Sequence, residues 1–101
     1  MEGREPAARQ HQVTARIALR EGGEDVASRV GARVQELCAD ATRVEWTMHG
    51  TELRLVIVLA APTGAAAIHY CRPRVTLAVG GVPEVAPGPG SVLLTALPAL
   101  A

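Results

Sequence analysis

The sequence predicts an α+β fold in which helices cover one face of an antiparallel sheet. Apolar and polar residues alternate over 13–19, which is typical of a strand, and apolar residues recur with the helical period over 24–40. Alternation then returns in two runs on either side of a glycine at position 50. Residues 11–60 are therefore expected to form a strand, a helix and a two-stranded hairpin, in that order.

The first strand has one apolar face and one mostly polar face. The first face holds Val13, Ala15, Ile17 and Leu19, and the second holds Thr14, Arg16, Ala18 and Arg20. A strand of this pattern has one side covered by the protein and one side open. Gly22 and Gly23 end the alternation and predict a turn before the helix.

The segment from about Glu24 to Asp40 has the pattern of an amphipathic helix. Glu24 and Asp25 place negative charge at the helix N-terminus, where the helix dipole favours it. The apolar residues that fall on one helix face are Val26, Val30, Val34, Leu37 and Cys38. This face is expected to pack on the sheet.

Two further strands form a predicted hairpin around His49-Gly50, because glycine adopts the positive φ of tight hairpin turns without steric cost. The inward residues are Val44, Trp46 and Met48 in one strand and Leu53, Leu55, Ile57 and Leu59 in the other. The second of these strands is also apolar on its other face, at Val56, Val58 and Ala60. A strand with two apolar faces is expected in the interior of a sheet.

The patterns beyond residue 62 are weaker. We expect a short helix over Ala65–Tyr70, stopped by Pro73, and a fourth strand over Val75–Val79. The resulting order β-α-β-β-α-β is that of the ferredoxin-like split β-α-β sandwich, with an antiparallel sheet and helices on one face. The right-handed crossover rule then places the third strand between the first and the second.

The domain organisation follows from composition. We expect a disordered leader over 1–11, the α+β domain over 12–81, and a Pro/Gly linker with an apolar tail over 82–101. The tail is shorter than the ~20 residues that span a bilayer, so it packs on this domain or on another, or stays exposed. The leader lacks the apolar run of a secretory signal and the formal net charge is +0. A cytoplasmic protein without a nucleic-acid or membrane partner is therefore expected.

The two cysteines do not have the spacing of a zinc motif, and they are expected to be reduced. Cys38 falls on the buried helix face, where a thiol behaves as a small apolar group. We expect no metal and no cofactor. His69 and Cys71 offer an imidazole and a thiol that share a face if the segment is extended, and do not share one if it ends a helix.

Four arginines are predicted on the open face of the sheet, where they converge around an apolar stripe, namely Arg16, Arg20, Arg54 and Arg74. Val56 and Val58 form an apolar stripe at the centre of this face. Three interpretations are open: an anion site made by the guanidinium groups, a sheet-to-sheet interface centred on the valines, or a mixed face in contact with water. RNA recognition on such a face needs stacked aromatic rings, and Trp46 is expected to point into the core instead.

Several of these segments together resemble an ACT-type regulatory domain. The resemblance rests on the Val13–Leu19 strand, the Gly22-Gly23 turn, the helix start from Glu24 to Val30 and the hairpin from Trp46 to Leu59, about half of the chain. In that family the turn after the first strand helps to bind a small effector, often an amino acid, at a dimer interface. The resemblance implies this role for Gly22, Gly23, Glu24 and Asp25. This chain has Arg20-Glu21 where the family usually has an aspartate, and its predicted second helix is short.

The sequence thus favours a small non-catalytic module that forms a homodimer and acts in protein interaction or in sensing a small ligand. Because Glu24 and Asp25 would repel an anion, a zwitterion such as an amino acid suits the turn better than a phosphate does. The alternative is a small enzyme that uses the His69 to Cys71 region or the arginine-lined sheet face. No catalytic residue is assigned.

Overall fold

The computed structural model describes residues 9–21, 23–86 and 90–98. Its elements are β1 (Arg9–Ala18), α1 (Glu24–Leu37), β2 (Ala41–His49), β3 (Glu52–Ala61), α2 (Gly64–Val79) and β4 (Val92–Pro98). The sheet order is β2-β3-β1-β4, and each neighbouring pair of strands is antiparallel. Both helices pack on one face, so the predicted α+β, ferredoxin-like sandwich is confirmed.

The centre of the sheet is the pairing of β1 with β3. Val13 lies opposite Ile57 and Ala15 opposite Leu55, and all four side chains are fully buried under the helices. The predicted alternation of β1 and the interior position of β3 are both confirmed. The hairpin between β2 and β3 also forms as expected, and Gly50 in its turn has a φ of 64°.

Helix α1 buries the predicted apolar face, with Val26, Val30 and Val34 in the core. Gly31 is also buried there, and the indole ring of Trp46 occupies the space that a Cβ at Gly31 would need. Because Gly31 has no side chain, Trp46, the only tryptophan of the chain, packs directly on the backbone of α1.

Helix α2 is longer than predicted, and the expected strand over Val75–Val79 is wrong. The helix continues through Pro73, which is exposed and removes one N–H donor from the helical hydrogen bonds. Its buried residues, Ala67, Cys71, Val75 and Ala78, follow the helical period. Packing of this face on the sheet outweighs the cost of an internal proline, so the apolar alternation over 75–79 is coincidental.

The fourth strand lies instead in the predicted apolar tail. β4 pairs with β1, with Leu94 opposite Ala15 and Val92 opposite Ile17, and these inward side chains pack against the core. The expectation of a tail separate from the domain is therefore wrong for residues 92–98. Part of the predicted linker is also fixed, because the N–H of Ala86 donates to the carbonyl of Ala18 at 2.9 Å.

The start of the chain differs from the prediction in a smaller way. Arg9, Gln10 and His11 belong to β1 and pair with the end of β3, so the expected disordered leader is wrong for these residues. Residues 1–8 of that leader lie outside the described part. Within the described ranges, no helix is both long and apolar enough to cross a membrane.

Candidate functional site

The open face of the sheet is the side that neither helix covers. Its side chains come from all four strands of the described sheet: Arg43, Glu45 and Thr47 in β2; Glu52, Arg54, Val56 and Val58 in β3; Gln12, Thr14 and Arg16 in β1; and Leu93, Thr95 and Leu97 in β4. The register fixes their order across the sheet, because Thr14 lies between Val56 and Thr95, and Arg16 lies between Arg54 and Leu93.

Two of the four predicted arginines meet on this face, and both bind the same carboxylate. Arg16 Nε lies 3.0 Å and Nη2 2.9 Å from Oε2 of Glu52, and Arg54 Nε lies 2.7 Å from its Oε1. Hydrogen bonds from Arg16 and then from Arg54 hold the pKa of Glu52 below its usual range. Both guanidinium groups thus already contact an internal anion.

The other two arginines lie elsewhere. Arg20 follows the end of β1, is exposed, and donates its backbone N–H to the carbonyl of Glu84 at 2.7 Å. Arg74 lies on α2, on the helix side of the sheet, where its guanidinium stacks over the ring of Tyr70 at 3.7 Å from the centroid. The prediction that four arginines converge on the open face is therefore wrong for Arg20 and Arg74.

The apolar part of the open face is larger than the sequence suggested. Val56 and Val58 are half-buried, and β4 adds Leu93 and Leu97 across β1, with 53% and 64% of their surface exposed. We call Val56, Val58, Leu93 and Leu97 the sheet-face patch. The two leucines were missed because residues 92–98 were interpreted as a tail, although Leu93, Thr95 and Leu97 alternate with Val92, Leu94 and Ala96.

The predicted glycine turn is only partly described, since Gly22 lies outside the described residues. Gly23 is the N-cap of α1 in an extended conformation, with a φ of 175° that any residue adopts, and a Cβ there would meet nothing within 4 Å. The helix N-terminus has no side-chain cap. Asp25 faces Arg29, with 3.3 Å between the carboxylate oxygen and Nε, so the two predicted acidic residues are not equivalent.

Glu24 lines a cleft between the start of α1 and the edge strand β2. The cleft has a volume of about 360 Å³, and its walls are Glu24, Ala27, Ser28, Trp46, Thr47 and Met48. Glu24 and Ser28 of α1 thus share one concave surface with Trp46 and Met48 of β2. The contributions of Trp46 and Met48 were not foreseen, because both side chains were assigned to the core alone.

The His69 to Cys71 region does not form a catalytic pair. Both residues lie on α2, where His69 is exposed and Cys71 is fully buried, so their side chains are on different faces of the helix. No group of three or more metal-ligating side chains occurs among the residues that the structure describes. The imidazole and the thiol therefore have separate surroundings.

No protein-family model matches this chain, and neither a curated protein nor a solved structure shows significant similarity to it.

Proposed function

We propose that this protein is a non-catalytic assembly module that forms a homodimer through the open face of its sheet. The observation that carries this proposal is the sheet-face patch, in which Leu93 and Leu97 keep more than half of their surface exposed. They lie across the polar side chains of β1 from the half-buried Val56 and Val58. Exposed apolar side chains that share one face of a small domain, with polar side chains around and between them, are typical of a protein interface.

The surroundings of the patch favour a second copy of this chain as the partner. A two-fold dimer brings the same patch together from both copies, so apolar side chains meet apolar side chains. The formal net charge of +0 gives no overall repulsion between identical molecules. Glu52 partly balances the charges on Arg16 and Arg54, so the polar side chains next to the patch bring no strong uncompensated charge into the interface.

The test compares two exposed leucines on opposite sides of the molecule. Leu97 belongs to the patch, whereas Leu77 lies on α2 and is exposed to a similar extent, 59%. Leu97→Asp places a charge in the proposed interface and should convert the dimer to a monomer of about 10.5 kDa. Leu77→Asp should leave the dimer intact. Sedimentation equilibrium at micromolar concentration measures both masses.

Two results would overturn the dimer. One is a monomeric wild-type protein at these concentrations, and the other is equal loss of the dimer in both leucine variants. Val56→Glu provides a second test at the centre of the patch, since its side chain comes from β3 rather than from the edge strand. Circular dichroism of each variant shows that a lower mass is not the result of unfolding.

The cleft beside α1 favours a second candidate function, recognition of an amino acid or a related amine. The Glu24 carboxylate can accept hydrogen bonds from an ammonium group, and the indole of Trp46 attracts a cation. The uncapped N–H groups of α1 can donate to the ligand carboxylate. This arrangement supports the zwitterion that the sequence suggested.

Trp46 provides the readout for this candidate, because it is the only tryptophan of the chain and lines the cleft. Titration with the standard amino acids, one at a time, should change its fluorescence for the preferred ligand. Glu24→Gln should weaken that binding about tenfold, as expected for loss of a charge-assisted hydrogen bond. Gly23→Val should also weaken it by blocking approach to the helix N-terminus.

Asp25→Asn is the matched control, since the Asp25 carboxylate faces Arg29 rather than the cleft. It removes the same charge one residue away and should leave the affinity almost unchanged. Absence of both a fluorescence change and thermal stabilisation at millimolar amino acid would contradict ligand sensing while leaving the assembly module unaffected.

A further inference from the structure

The two cysteines of the chain come from different helical segments but lie in the same part of the core. Cys38 is the C-cap residue of α1 and Cys71 is in the middle of α2, and both thiols are buried and free. Both belong to the same buried core cluster, and each thiol influences the pKa of the other. The sequence placed Cys38 on the buried helix face correctly but did not indicate that Cys71 lies beside it.

Hydrogen bonds before and after Cys38 join the end of α1 to α2 next to Cys71. Before Cys38, the carbonyl of Leu37 accepts from Arg74 Nε at 3.2 Å; after it, the N–H of Asp40 donates to the hydroxyl of Tyr70 at 3.2 Å. Tyr70 and Arg74 flank Cys71 on α2. The end of α1 is therefore attached to α2 one residue before and two residues after Cys38, which holds the two thiols against each other.

The surroundings make the two thiols chemically different. The neighbouring Cys71 thiol lowers the pKa of Cys38 despite its burial, and the positive charge of Arg74 favours the thiolate form of both cysteines. The same contact and burial raise the pKa of Cys71. Cys38 is thus the better nucleophile, and Cys71 is the thiol that is in place to react with it afterwards.

We propose that Cys38 and Cys71 form a reversible disulfide that links α1 to α2 when the protein meets a hydroperoxide. The Cys38 thiolate attacks one peroxide oxygen, which gives a sulfenic acid and releases hydroxide. The Cys71 sulfur then attacks the Cys38 sulfur, the S–S bond forms, and the sulfenic oxygen leaves as water. In total, two thiols are oxidised and one hydrogen peroxide is reduced to two molecules of water.

Access to the buried pair comes from its position at a helix end. Cys38 follows the last residue of α1, and the next two residues, Ala39 and Asp40, are exposed. Because both hydrogen bonds that attach this segment to α2 lie near its exposed end, a local opening that breaks only these contacts is enough to admit a molecule as small as hydrogen peroxide. A larger oxidant such as glutathione disulfide should therefore react more slowly.

The test uses the full chain in its native state. After treatment with equimolar hydrogen peroxide, the remaining thiols are alkylated under denaturing conditions and the intact mass is measured. The expected product has lost two hydrogen atoms, carries no alkyl group and contains a peptide that joins residue 38 to residue 71. Its melting temperature should rise by several degrees and return to the starting value with dithiothreitol, because the bond restricts the unfolded chain.

Single variants separate the two thiols. Cys71→Ser keeps a hydrogen-bond donor beside Cys38 and should leave Cys38 to form sulfenic acid, which dimedone traps, whereas Cys38→Ala should react much more slowly at Cys71. Two alkylated thiols after peroxide treatment of the wild type would overturn the proposal, as would a disulfide formed only between two chains. The wild-type measurement decides the question even if an alanine variant is too unstable to purify.

Discussion

The two faces of β3 have opposite environments although their residues are neighbours in sequence. Leu55 is fully buried beneath the helices, whereas Val56, the next residue, is half-buried on the open face. Both are large aliphatic residues, so composition does not distinguish them. The apolar face beneath the helices forms the core of the fold, whereas the second apolar face of the same strand stays partly in contact with solvent.

The largest effect should come from removing β4, which contributes to both faces. Truncation after Ala86 removes β4, one of the two strands that pair with β1. It also uncovers the part of the core against which Val92, Leu94 and Ala96 pack. We expect loss of a cooperative thermal transition, measured by circular dichroism. A truncated chain that melts like the full one would show instead that β4 is dispensable for the fold, as the interpretation of these residues as a tail implied.

The next largest effect tests the two faces of β3 directly. Leu55→Ala creates a cavity in the core and should lower the free energy of unfolding by ~2–5 kcal/mol. Val56→Ala removes atoms from a half-buried side chain and should cost the monomer less than about 1 kcal/mol. Urea denaturation at a protein concentration where sedimentation shows only monomer compares the free energies of unfolding of the two variants. Equal losses would mean that the open face stabilises the monomer as much as the covered face does.

A smaller change on the covered face tests the contact between α1 and β2. In Gly31→Ala the new Cβ overlaps the indole of Trp46, so the ring or the helix must move, at a cost of roughly 1–3 kcal/mol. The double variant with Trp46→Leu should recover part of this loss because the smaller side chain can shift. Additive losses in the two single variants, measured by urea denaturation, would show that helix and ring do not constrain each other.

How much of this structure could be predicted depended on whether local pattern and tertiary packing agree. The alternation of β1 and the period of α1 each occur within one segment and report on one covered face, so they identified these elements correctly. Pro73 and the apolar residues at 75–79 predicted a helix end and a strand, whereas this segment is helical. Burial of Cys71 and Val75 against the sheet outweighs the local propensity.

The candidate sites were harder to predict because they join distant segments. The cleft combines Glu24 with Trp46 and Met48, and the sheet-face patch combines β3 with β4, so neither arises from a single local pattern. The ion pairs of Glu52 depend on the register of β1 against β3, which places Arg16 opposite Arg54. The arginines were identified from the sequence, whereas the carboxylate that both of them bind was not.

The smallest effect concerns the electrostatics of the open face. Because Arg16 and Arg54 lower the pKa of Glu52 in the folded protein, their contribution to stability is present above the carboxyl pKa of the unfolded chain, about 4.3. This stabilisation is lost as the pH falls through the lower pKa that Glu52 has in the folded protein. The ion pair between Arg16 and Glu52 is partly exposed to solvent. Its contribution to stability should therefore be small and should weaken with added salt.

Comparison of the wild type with Glu52→Gln isolates this contribution. The wild type should melt slightly higher at pH 7, and the two melting temperatures should converge as the pH falls below about 4, where Glu52 becomes protonated and resembles glutamine. The loss caused by Leu55→Ala arises from an uncharged cavity and should not change with pH in this way. A difference between wild type and Glu52→Gln that stays constant from pH 7 to pH 3 would show that Glu52 acts through packing rather than through its charge.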